Sequence, residues 1–428
     1  MTNTQLAVQF FMQIAVILFT CRIVGVIAAR FGQPQVVAEM IAGVLLGPSL
    51  LGLVLPEWQQ WVFPWDRTQS TRDSQSYLFP VSQLGLALYM FIVGMEFRVD
   101  VVKSYVRSSI AVSVAGMAVP FLLGAGLARY FYFNTELFPK ETKLIEAMLF
   151  LGASMCITAF PMLARIIQFK GLTGTLMGTV AIGAGAIDDV TAWCLLAVVL
   201  ASFDDNIATA AYSIGGGVVF VGVATLVVKP ILKRSSDKLI DKSGELNDSG
   251  LVVGLGCMAM GAWFTDLIQL HAVFGAFVMG VVMPRGGLAT GLTAKIQPLA
   301  VSLLLPLFFT YSGLNTKIGL LNSWYLWGMC LLVLIAAVVG KGVACTAAAK
   351  LAGLSTRESL GIGTLMNARG LMELIIINIG LQRGIISEEL FATLVIMAII
   401  TTLMASPIFD LVISSPKAAK GDSNPIAA

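Results

Sequence analysis

Two adjacent carboxylates, Asp188 and Asp189, stand in the middle of the apolar run AIGAGAIDDVTAWCLLAVV, residues 181–199. A charge in hydrocarbon costs roughly 2.5–3.5 kcal/mol on insertion scales, so each acid is expected to face a partner or a cavity. Neighbours on an α-helix point about 100° apart. One carboxylate can therefore pair with a base while the other faces water. Lys341 is the only lysine well inside an apolar run and the natural partner, although a lysine in the inner part of its span could instead snorkel toward the membrane surface. A carboxylate with hydroxyl and carbonyl oxygens around it suits Na⁺, K⁺ or Li⁺, since such cations prefer oxygen ligands. If a proton and a cation compete for that carboxylate, a gradient of either can drive the other.

The elements that must position these acids are membrane spans. Hydrophobic residues make up 57% of the chain and charged residues 12%, with a mean hydropathy of +0.87, whereas roughly a quarter of residues are charged in soluble domains. The six cysteines all lie in apolar runs without paired spacing, which suggests neither a disulfide frame nor a zinc site. A net charge of +3 is too small to imply a nucleic-acid partner. Neither a Walker motif nor a Gly-rich nucleotide fingerprint occurs, and no Ser-His-Asp or His-rich cluster supports an enzyme. No cofactor is expected beyond the transported cation and proton.

With about 20 apolar residues per span, the expectation is an all-α polytopic protein with about 13 transmembrane helices. They lie near 6–29, 36–54, 81–98, 106–129, 145–168, 174–202, 209–232, 249–268, 271–285, 296–315, 324–348, 359–382 and 388–413. Placing the N-terminus outside and the C-terminus in the cytoplasm puts Lys and Arg on the inward side at roughly 17 to 7, as the positive-inside rule asks. The outward loop 55–80 carries Trp58, Trp61 and Trp65, which suit a membrane interface. The first span lacks the flanks of a cleaved leader. With 209–232 as a linker helix, residues 6–203 and 249–413 form two repeats of inverted topology. EMIAGVLLGPSLLG in the first repeat and HAVFGAFVMGVVMP in the second are alike in being short and Gly-spaced. Residues 414–428 read as a disordered cytoplasmic tail.

Inverted repeats in transporters bring discontinuous helices together near the midplane. The fifth span contains ASMCITAFPMLARI, where Pro161 removes a backbone donor and Ser154 and Thr158 offer hydroxyls. The twelfth contains GTLMNARGLMELI, where Asn367, Arg369 and Gly370 interrupt the apolar pattern. Crossing there, the half-helices would need compensating charge, for which Arg369, Glu373 and the aspartates are well placed. Arg369 and Glu373, at i and i+4, could equally neutralise each other, and Ser154 and Thr158 could serve carbonyls freed near Pro161. His271, the only histidine, reads as an interfacial residue or a pH sensor. Glu39 and Glu96 could line an ion entry path or pair with Arg22.

At these residues the chain resembles the monovalent cation:proton antiporter-2 family of the cation/proton antiporter superfamily. The resemblance runs over residues 6–413 and is carried by QPQVVAEMIAGVLLGPSLLG (33–52), LYMFIVGMEF (88–97), ITAFPMLARI (157–166), AIDDVTAW (186–193), HAVFGAFVMGVVMPR (271–285), LPLFFTYSGL (305–314) and NARGLMELIIINIG (367–380). It implies the sodium/proton antiporter-like fold, with core helices at 106–202 and 324–413 that rock or move like an elevator. It also implies a scaffold at 6–98 and 249–315 that forms a homodimer in the lipid bilayer, here a bacterial-type inner membrane. Asp189 would carry cation and proton, Asp188 would pair with Lys341 in one state, and Thr158 would lie beside the ion. The paired acids resemble those of electrogenic Na⁺ exchangers, while the Thr-Ala-Trp that follows resembles potassium-efflux and plant cation exchangers. K⁺/H⁺ exchange is thus the alternative, ahead of an ion-sensing module or a sodium-coupled organic-anion symporter. The regulatory nucleotide-binding domain of the potassium-efflux relatives is not expected in this chain.

Overall fold

A computed structural model describes residues 3–33, 35–64, 74–96, 105–203, 207–241, 245–268, 270–314 and 318–414. The described chain is helical, with one isolated antiparallel bridge between Ile240 and Leu246. Helix α1 is Asn3–Arg30 and α2 is Gln35–Leu46, followed by the short helices Leu51–Val54 and Pro56–Val62; α3 is Ser74–Glu96. Helices α4 (Val106–Asn134), α5 (Leu144–Cys156), α6 (Phe160–Phe169) and α7 (Leu176–Phe203) follow. Helix α8, Ile207–Val223, runs through a wide π turn at Ala224–Val228 into Lys229–Leu239. Next come α9 (Asp248–Leu267), α10 (Ala272–Val282) and α11 (Gly287–Leu299), the last continuing through Ala300–Leu304 into Leu305–Leu314. Helices α12 (Trp324–Leu351), α13 (Thr356–Leu365), α14 (Leu371–Gln382) and α15 (Glu388–Ser414) complete the chain.

Among the described residues, nine helices are long and apolar enough to cross a membrane. Several expected spans differ in extent, among them 296–315, whose helix α11 begins at Gly287. The run 36–54 is helical only to Leu46, because Gly47 and Pro48 fall in a turn before the next short helix. Helix α3 starts at Ser74 rather than 81 and accommodates Pro80, its first turns being polar and therefore silent to hydropathy. Trp58 and Trp61 are exposed on Pro56–Val62 and meet edge to face at 5.7 Å. Trp65 and the tail 415–428 lie outside the described residues.

The chain divides into two compact units. One gathers Met1–Ile27, Ala38–Arg98 and Trp193–Gly319. Within it α3 and α10 touch backbone to backbone at Gly94 and Gly280, where a methyl on Gly94 would lie 3.0 Å from the other glycine's Cα. Small residues allow such approach where hydrophobicity alone does not drive helices together.

The second unit gathers Ala28–Val37, Val99–Ala192 and Leu320–Ala428. Its helix α12 is largely apolar, with Lys341 on the buried face and Lys350 in the last turn, and its faces differ in size. Leu331, Ile335, Val339 and Val343, at i+4 spacing, are exposed, while Ala337, Gly340, Ala344, Cys345 and Ala348 are buried. Bulk faces outward and small residues face the protein. Helix α4 follows the same rule, burying Ser109, Ser113, Gly116, Pro120 and Gly124 and exposing Ile110, Val114 and Leu122.

Candidate functional site

The second unit contains two helices interrupted in mid-course. Helix α5 ends at Cys156, Ile157 is extended, and α6 begins at Phe160. Pro161 therefore sits in the first turn of α6, where its missing N–H leaves nothing unsatisfied. The interruption precedes the proline rather than arising at it. The second break runs from Met366 to Gly370, between α13 and α14. The two breaks touch: the Ala159 N–H donates to the Ala368 carbonyl at 3.2 Å.

Each break strands the last carbonyls of one helix and the first N–H groups of the next. At the end of α5 two cations meet those carbonyls. Lys341 Nζ donates to Cys156, while Arg369 donates from Nη1 to Ser154 at 3.2 Å and from Nη2 to Met155 at 2.6 Å. Positive charge at a helix C-terminus also opposes the negative end of its dipole. The end of α13 is closed without charge. Met366, Asn367 and Ala368 donate their N–H groups to Ile362, Thr364 and Leu365, and the Asn367 side-chain amide donates to Gly363 at 3.1 Å. Thr402 of α15 braces Arg369, its Oγ1 accepting from the backbone N–H at 3.1 Å and donating to the carbonyl at 2.6 Å.

Helix α7 brings the paired aspartates to this place, and their surroundings differ. Asp188 is fully buried, and a hydroxyl donates to each of its oxygens: Ser113 to Oδ1 at 2.6 Å and Thr158 to Oδ2 at 2.5 Å. Lys341 Nζ lies 3.5 Å from Oδ2. Asp189 is 1% exposed, yet neither of its oxygens has a hydrogen-bond partner among the described residues. A buried carboxylate without donors is costly. Both Asp189 oxygens are thus left without a hydrogen bond, beside an acid whose oxygens each hold one.

Asp188, Thr158 and Lys341 are thus brought together, and the lysine points into the protein with no exposure instead of snorkelling. Ser154 stands apart from this cluster, its hydroxyl donating to Phe150 one turn back at 2.9 Å. Asn367 Oδ1 is buried without a partner among the described residues. Arg369 Nη1 and Glu373 Oε1 form an ion pair at 3.6 Å, at i and i+4, that is too long for a hydrogen bond. In the other unit His271 caps α10 with φ 66°, its Nδ1 accepting from the Val273 N–H at 3.4 Å. Glu39 is buried, whereas Arg22 and Glu96 are exposed. Sequence reasoning missed Ser113 and Thr402. The available signal for Ser113 was the small-residue face of α4, where a hydroxyl stands among glycines and a proline.

Residues 15–413 match the family model described as the transmembrane sodium/hydrogen exchanger. The chain is 39% identical over 421 residues to the Na(+)/H(+) antiporter NhaS4 of Synechocystis, covering 97% of this chain and 99% of that one. It is 34% identical over 400 residues to cation/H(+) antiporter 17 of Arabidopsis thaliana, of which it spans 47%. The Na(+)/H(+)-K(+) antiporter GerN of Bacillus cereus is 27% identical over 93% of this chain. The solved structure of the sodium proton antiporter MjNhaP1 from Methanocaldococcus jannaschii covers 99% of this chain with a TM-score of 0.69 at 15% identity, so the fold is shared. The chain belongs to the sodium/hydrogen exchanger family of secondary transporters, within its monovalent cation:proton antiporter-2 branch.

Proposed function

We propose that the protein exchanges Na⁺ for H⁺ across a membrane, with cation and proton competing for the Asp189 carboxylate. The observation that carries this reading is the contrast between the neighbouring acids. Asp188 holds hydroxyl donors on both oxygens and an ammonium nearby, whereas Asp189 is equally buried and holds none. Asp188 and Lys341 then form a charge pair in this state, the lysine also closing the end of α5, and Asp189 exchanges its load. All these groups belong to one compact unit, which supports the expectation that this unit carries the ion. Counting α5 with α6 and α13 with α14 as single interrupted spans supports thirteen crossings, with the touching breaks as the crossing point of the two repeats; the excess of inward Lys and Arg supports an outside N-terminus.

Reconstitution in liposomes with a pH-sensitive dye tests the proposal. Na⁺ added after a proton gradient is imposed should dissipate it in the wild type and fail to do so in Asp189→Asn. Exchange surviving that substitution would move the carrier to another residue. Separate additions of K⁺ and Li⁺ decide cation choice, because a second reading, K⁺/H⁺ exchange, gains support from the 30% identity to the K(+)/H(+) antiporter 1 of Saccharomyces cerevisiae.

A further inference from the structure

Three glutamates among the described residues occupy the third position of a helix, and one behaves unlike the others. Glu146 on α5 accepts from the Lys143 N–H at 3.0 Å, and Glu358 on α13 accepts from the Ser355 N–H at 3.0 Å. Each reaches back to the N-cap N–H, and at Ser355 the serine hydroxyl accepts from the Glu358 N–H to complete a capping box, the usual use of an acid there. Glu373 on α14 does not. Its helix has no side-chain cap bond, and neither carboxyl oxygen accepts a hydrogen bond among the described residues, although the residue is 1% exposed.

The nearby donors do not reach it: Arg369 Nε has no hydrogen-bond partner among the described residues, and the ion pair of Arg369 Nη1 with Glu373 Oε1 is 3.6 Å long. Arg369 gives Nη1 and Nη2 to Ser154 and Met155. Lys341 gives its ammonium to Cys156 and lies against Asp188. Burial without hydrogen bonds works against the ionised form, while the N-terminus of α14 and the Arg369 guanidinium 3.6 Å away work for it. Asp188 is differently placed, since donors on both oxygens already serve its ionised form.

We propose that Glu373 is a second proton-exchanging carboxyl, separate from Asp189, that takes up and releases one proton in each transport turn. The inference rests on the antiport reading and adds its stoichiometry. One passage carries Na⁺ on Asp189 with Glu373 ionised, and the return carries a proton on each. Two protons then cross against one Na⁺, moving one net positive charge.

The test is the null point of exchange in proteoliposomes clamped at zero potential with K⁺ and valinomycin. Under a tenfold proton gradient, wild-type flux should vanish at a Na⁺ gradient of about 100-fold, and that of Glu373→Gln at about tenfold. A wild-type null at about tenfold, or a variant null unchanged at about 100-fold, overturns the proposal. Should Glu373→Gln fail to fold, the wild type in the membrane is treated with an apolar carbodiimide, which modifies protonated buried carboxyls, and mapped by mass spectrometry. An adduct on Glu373 is expected, and its absence overturns the proposal. Loss of all exchange in Asp189→Asn tests the antiport reading independently of either result.

Discussion

Ser113 and Asp188 lie 75 residues apart in sequence and 2.6 Å apart in space, hydroxyl to carboxylate. The bond ties the small-residue face of α4 to the acid of α7, and with Thr158 it leaves Asp188 no bare oxygen. Hydrogen bonds to charged groups contribute about 1.5–3 kcal/mol. Ser113→Ala should therefore lower unfolding stability by about 1.5–3 kcal/mol in detergent, and Ser113→Thr should restore most of it. A Ser113→Ala protein as stable as wild type would show that the contact contributes nothing.

Competition for one carboxylate sets the sign of a pH effect. A proton on Asp189 excludes the cation, so falling pH must weaken cation binding. The apparent KM for Na⁺ should rise about tenfold per pH unit once the carboxyl is mostly protonated, with the maximal rate at saturating Na⁺ much less affected. Rates at several Na⁺ concentrations and pH values check this, and a KM indifferent to pH is incompatible with a shared site.

The paired acids, Lys341 and the two breaks were legible because a charge or a loss of pattern inside an apolar run violates a strong rule. Thr158 was legible only through its place in the first break. Ser113 was not, although it stands on the small-residue face of α4, since a serine in an apolar helix usually bonds its own backbone and tertiary packing decides whether it finds another partner. Nor was the role of Arg369 and Lys341 as partners of the α5 carbonyls. Sequence places those cations near a break, but which carbonyls they reach depends on helices almost two hundred positions away. The early start of α3 was hidden for a local reason, because Ser74, Gln75 and Ser76 carry no hydrophobic signal.

Close packing of α4 on α5 should matter to the site as well as to the fold. A methyl added at Gly124 would lie 2.8 Å from the Leu151 carbonyl oxygen and 2.9 Å from the Gly152 Cα, backbone atoms that cannot move aside alone. Gly124→Ala should push the helices apart and cost about 1–3 kcal/mol. Because Ser113 rides on α4 and Thr158 follows α5, exchange should fall with stability. A thermal melt and a transport assay on one preparation measure both, and unchanged values in the two would refute the close contact.

Lys341 has two duties that substitution can separate. Its ammonium supplies a donor to the Cys156 carbonyl and a positive charge near Asp188. Lys341→Gln keeps a donor and removes the charge, whereas Lys341→Met removes both at similar length. Breaking a buried ion pair from one side costs about 3–5 kcal/mol. Here the two hydroxyls that Asp188 retains should hold the loss from Lys341→Gln to the low end of that range. Lys341→Met also strands a carbonyl at a helix end and should lose about 1–3 kcal/mol more. The expected order of unfolding stability is wild type, then Lys341→Gln, then Lys341→Met, read by chemical denaturation in detergent. Equal stability of the two variants would assign the whole effect to charge and leave the α5 terminus to be satisfied by another donor.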